Sequence, residues 1–135
     1  MTKNNTDFFK TIPTDLPSLT TAQHIQNQAA TVGFDWTEIL DVLDKVQEEL
    51  NELKVAIMQS DMDSAKEELG DLLFVASNVG RHLQVDAETI LQQACEKFKR
   101  RFNAMQLLAA NQGKKMSDYD LEELTHFWAT VKENE

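Results

Sequence analysis

KVQEELNELKVAIMQSDMDSAKEELGDLLF, residues 45–74, reads as two helices and the turn between them. Working outward, Ile39, Val42, Val46, Leu50, Leu53 and Ile57 draw an apolar stripe at helical spacing, and Leu69, Leu72, Leu73, Ala76 and Val79 draw a second. The polar run SDMDS, residues 60–64, separates them, with Ser64 and Glu67 spaced as a capping box. So short a connection makes the two helices antiparallel. Asp35, three residues before Glu38, repeats the capping pattern at the start of the first, which runs to about Met58; the second ends near His82.

The flanks continue the helical theme. Leu19, Ala22, Ile25, Ala29 and Val32 mark a helix over 18–32 that Gly33 stops. Asp86 opens a long helix with Ile90, Leu91, Ala94, Phe98, Phe102 and Met105 facing inward, closed by Gly113. Ser117 and Asp120 cap a last helix carrying Leu121, Leu124, Phe127, Trp128 and Val131. Residues 1–16 hold Phe8, Phe9 and two prolines without any period, and read as a tail or strap ahead of one domain over 17–135. Only four glycines and two prolines interrupt 135 residues, so no sheet is expected. The predicted fold is all-α, a four-to-five helix bundle around a central antiparallel hairpin. Wide stripes on every helix predict at least a homodimer.

A formal net charge of −10 repels nucleic-acid polymers and anionic membrane surfaces, and excludes generic electrostatic binding to either. The N-terminal residues carry no signal-peptide pattern and no long apolar run occurs, so a soluble, cytoplasmic protein is expected. The lone Cys95 reads as a half-buried small residue, because no base-bearing motif flanks it.

Acidic residues on the hairpin obey a narrower rule than composition. At 100° per residue, Glu49 and Glu52 lie roughly 70° and 130° to one flank of their stripe, and Glu68 and Asp71 roughly 75° and 135° from theirs, with the same sense. Glu48 and Glu67 point away. Equal offsets on antiparallel helices fall on one side of the hairpin. About residue 60, Glu52 matches Glu68 in height and Glu49 matches Asp71, so four carboxylates converge. Crowded like charges raise one another's pKa unless a cation fills the gap, and hard oxygen donors without His or Cys select Mg²⁺ or Mn²⁺ over Zn²⁺. The competing reading is a solvated acidic face paired with Lys45 or Lys66.

The segments VGFDW (32–36), KVQEELNEL (45–53), EELGDLLF (67–74), RHLQVD (81–86) and KFKRRF (97–102) together resemble the MazG family of nucleoside triphosphate pyrophosphohydrolases. The likeness covers about residues 16–132 and is to the C-terminal domain of the two-domain members, so the sequence corresponds either to a stand-alone form or to an excised domain. It implies that Glu49, Glu52, Glu68 and Asp71 ligate Mg²⁺, that Lys97 and Arg101 contact the triphosphate, and that Trp128 and Lys132 close over the nucleotide. It further implies hydrolysis of a nucleoside triphosphate to the monophosphate and pyrophosphate. Asn78, two turns beyond Asp71, reads either as a nucleotide contact or as a group that satisfies backbone, and Trp36 as a staple for the loop around Gly33. Cys95 and Gln106 depart from the family pattern, which leaves base and sugar preference open. The alternatives are a narrow-specificity relative acting on dUTP or phosphoribosyl-ATP, and a non-catalytic helical dimerisation module.

Overall fold

The computed structural model describes residues 6–135, and among them every regular element is helical. The order is α1 (Ser18–Ala30), α2 (Ile39–Met58), α3 (Met62–His82), α4 (Ala87–Asn111) and α5 (Leu121–Glu133), with a 3-10 turn at Met116–Asp118 before α5. The all-α expectation therefore holds. The first five residues of the expected tail lie outside those described; from residue 6 onward it is a series of turns, with Lys10 donating to the Asp7 carbonyl and Ile12 to that of Phe9. Two compact units divide the chain, the first ending at Ile90 and the second comprising Leu91–Glu135.

In the first unit α2 and α3 form the antiparallel hairpin, and α1 packs on α3. The inward line of α2 is Val42, Val46, Glu49, Leu53 and Ala56, and that of α3 is Ala65, Glu68, Leu72, Val75 and Val79. This corrects the predicted stripes. Leu50, Ile57, Leu69 and Leu73 lie about one residue round and remain exposed, because each helix carries two apolar lines and the hairpin buries only one.

Both predicted capping boxes on the hairpin are displaced. Asp61, not Ser64, caps α3, accepting from the Ser64 amide at 3.2 Å and hydroxyl at 2.8 Å. Asp35 does not cap α2, which starts after Glu38; its carboxylate is held by Arg81 and, at 3.1 Å, by His82. The ion pair from this loop to the end of α3 takes the carboxylate that an Asx cap would have used. Burial raises the pKa of Asp35, yet Arg81 and His82 hold it below the usual carboxylate range. Four helix ends close alike, with a six-to-one amide-to-carbonyl bond over a residue at positive φ: Gly33, Ser60, Gln84 and Gly113.

Gln23 of α1 ties the unit together. Its Nε2 donates to the Ser77 and Val85 carbonyls, both at 3.0 Å, and its Oε1 accepts from the Ala87 amide at 3.0 Å. Gly80 is the residue that admits it, since a Cβ there would stand 2.9 Å from Gln23 Nε2.

In the second unit Met105, Ala109, Tyr119, Phe127 and Val131 form the core, with Tyr119 edge-on to Phe127 at 5.0 Å and its hydroxyl donating to the Ala109 carbonyl at 3.2 Å. The capping box of α5 is made by Asp120 with Glu123; Ser117, expected to share the cap, lies in the preceding 3-10 turn. The inward line predicted for α4 is corrected: Met105 is buried, but Ile90, Leu91 and Phe102 are exposed and Phe98 is 57% exposed. Cys95 is likewise exposed rather than half-buried. No helix among the described residues is long and apolar enough to cross a membrane.

Candidate metal centre

The hairpin seam places acids where a coiled coil would place leucines. Glu49 is only 6% exposed, Glu68 is half-buried and Asp71 is exposed, and each offers an oxygen within 4.8 Å of the other two. Glu52 stands outside that group of three oxygens, but its carboxyl faces that of Glu68 within hydrogen-bonding range. Of the four acids read from angle and height, Glu49, Glu68 and Asp71 come together, with Glu49 in the seam rather than on its flank, and Glu52 stands beside Glu68. Averaging over two apolar lines had displaced the apparent centre of the stripe.

Burial, then Glu52 and Glu49, push the pKa of Glu68 up to about 7. Lys45 answers part of the charge, reaching Glu49 Oε1 at 3.2 Å and Glu48 at 3.4 Å. The solvated-face reading is therefore met at one oxygen. It fails at two others: Glu49 Oε2 and Glu68 Oε2 are buried with no donor. Buried carboxylate oxygens without donors are costly, and a divalent cation satisfies several at once. A cavity of about 340 Å³ opens beside Glu52 and Glu68, walled also by Asn51, Gln59, Asp61 and Ser64, so there is room next to the acids. The residues present fit a hard, oxygen-loving ion.

The remaining four candidates belong to the second unit. Arg101 Nε donates to both carboxylate oxygens of Glu135, at 2.8 and 2.7 Å, and its guanidinium lies 5.7 Å from the centre of the Trp128 ring. Trp128 is half-buried, and Phe98 packs on it at 5.3 Å. Lys97 and Lys132 are exposed. Asn78 is buried in the first unit and accepts from Arg81 Nε at 2.8 Å, so it serves a side chain rather than backbone. The network of Asp35, Arg81 and His82 had escaped the sequence reading. Its one signal is the pair of basic residues closing α3, which dipole arguments alone would explain.

Comparisons with known proteins identify the family. The profile of the MazG nucleotide pyrophosphohydrolase domain matches residues 37–106. The nucleoside triphosphate pyrophosphohydrolase of Escherichia coli (strain K12) is 47% identical over 126 residues, 92% of this chain and 48% of that protein. The nucleoside triphosphate pyrophosphohydrolase/pyrophosphatase MazG of Thermotoga maritima is 40% identical over 117 residues, 87% of this chain and 45% of that protein. The chain spans about half the length of the curated relatives it matches.

Proposed function

The chain belongs to the MazG nucleotide pyrophosphohydrolase family, and from that premise we propose that it is a Mg²⁺-dependent enzyme converting a nucleoside triphosphate and water to the monophosphate and pyrophosphate. The observation that carries this is the seam: three carboxylates converge there and two of their buried oxygens have no donor. Glu49, Glu68 and Asp71 would hold the ion, with Mn²⁺ a suitable substitute. When bound, Mg²⁺ supplies neutralisation of phosphate charge and a more acidic water. Glu52, against Glu68, either adds a fourth oxygen or accepts the proton of the attacking water. Lys45 holds Glu49 oriented through its 3.2 Å contact. Lys97, Arg101, Trp128 and Lys132 are proposed as nucleotide contacts on the family likeness, with Glu135 occupying the guanidinium that a phosphate would use.

A second copy of the chain is the proposed cover for the outward apolar lines of the hairpin and α4, since contiguous apolar faces of this kind mark interfaces. Replacing Glu49, Glu52, Glu68 and Asp71 singly by Gln or Asn and scoring pyrophosphate release tests the catalytic proposal. Loss of a ligand is expected to lower turnover by roughly 100-fold or more, beyond the 10–100-fold of an outer-shell partner. Unchanged turnover in all four variants ends it.

A further inference from the structure

The loop joining α1 to α2, residues 31–38, is fastened at one residue. Its first half is tied back to α1: the amides of Val32 and Phe34 donate to the Ala29 carbonyl and that of Gly33 to the Ala30 carbonyl. Among the described residues the next backbone bond along the chain runs from the Asp41 amide to the Glu38 carbonyl. Between them stands Asp35, with Phe34 80% exposed before it and Trp36 39% exposed after it. Its carboxylate carries the loop across to α3.

Arg81 makes that fastening, and each of its three nitrogens takes a different partner. Nη2 donates to Asp35 Oδ1 on the loop, Nε to Asn78 Oδ1 on α3 at 2.8 Å, and Nη1 to Asn27 Oδ1 on α1 at 3.4 Å. An ionised carboxylate only accepts, so His82 Nε2, 3.1 Å from the same Asp35 oxygen, carries a hydrogen and donates to it as well. A basic residue complements the end of a helix from open water, whereas the Arg81 side chain is only 14% exposed and engages three stretches of chain. A planar guanidinium with fixed N–H directions can serve three acceptors at once; an ammonium is one compact charge on a flexible stem.

The clamp stands close to the chemistry. Asp35 and Arg81 line a cavity of about 250 Å³ together with Phe34, Trp36 and Asn78. Asn78 follows Asp71 by seven residues on α3, so two helical turns separate the clamp from the carboxylates along one face. A shift of the loop therefore alters the walls beside a substrate whose phosphates stand at the acids.

We propose that Arg81 is a positioning residue for the pyrophosphohydrolase reaction, acting through Asp35 by clamping the 31–38 loop to α1 and α3. The proposal rests on the activity reading above. Its test compares wild type with Arg81→Lys, which keeps the charge and loses the fork, and with Asp35→Asn, which keeps the shape and loses the charge. Each should raise KM for the triphosphate roughly tenfold, the scale of one lost charge-assisted hydrogen bond, with kcat within about twofold of wild type. The double variant should be no worse than the poorer single one, because both changes open the same clamp. In ¹⁵N-labelled protein the indole N–H resonance of Trp36, assigned with Trp36→Phe, should move the same way in both single variants. Should Arg81→Lys fail to fold, Asp35→Asn carries the test. Folded variants with lowered melting temperature but wild-type KM would overturn the proposal, leaving Arg81 a stability residue and the activity intact. A kcat that falls in step with kcat/KM would also overturn it, by placing Arg81 at the reacting atoms. A wild type that releases pyrophosphate from no triphosphate would instead sink the activity reading, and the positioning role with it.

Discussion

Glu68 is held against two like charges, and the consequence is a proton. Its ordinary pKa of 4.5 is pushed up to about 7 by burial and by Glu52 and Glu49. The folded chain keeps a proton that the unfolded chain releases, so this group's stabilisation is fully present below about pH 4.5 and is lost as pH rises through about 7. Thermal melts in chelator should fall across that window, and millimolar Mg²⁺ should restore more stability at pH 8 than at pH 6, since it favours the ionised form. A flat profile indifferent to Mg²⁺ contradicts this. Glu135 offers a second check, because its carboxylate stands on Arg101 as a phosphate would. Glu135→Gln should lower KM for the triphosphate a few-fold, the scale of a partly exposed ion pair. Of the residues involved, Glu49, Glu68 and Asp71 were legible because spacing and height alone bring them together, while Glu52 stands beside Glu68 and outside the group. Gln23 and Gln26 were not: an amide at the 22, 26, 29 spacing of α1 looks like surface until its partners are known.

At the scale of elements, the number and type of helices follow from periodicity and capping residues, while their ends depend on competition among polar groups. Asp35 looked like a cap and became an ion-pair partner, because Arg81 lies within its reach. Ser60 and Gln84 hide the sites of turn closure, since the reading of helix stops looked for glycine and found it only at Gly33 and Gly113. The cost of that choice is measurable. With Ser60 at φ 56°, Ser60→Gly should raise stability by about 1 kcal/mol in denaturant titration. Gly80→Ala should do the opposite, by about 1–3 kcal/mol, because its methyl meets the buried amide of Gln23.

At the scale of the whole molecule, each hairpin helix has two apolar lines, and one chain buries only the line that carries the acids. The sequence shows both lines without saying which is inward; burial alone separates them. The outward line predicts self-association: sedimentation at micromolar concentration should show a dimer, and Leu50→Glu together with Leu73→Glu should yield monomer. A wild-type monomer removes that proposal without touching the carboxylates.

Whether the seam holds a divalent ion is tested most directly by titrating Mn²⁺ into the wild type and Glu68→Gln at neutral pH, with free ion followed by electron paramagnetic resonance. Saturable binding in the wild type, weakened roughly tenfold or more in Glu68→Gln, is the predicted result. Equally weak, unsaturated binding to both proteins would contradict it.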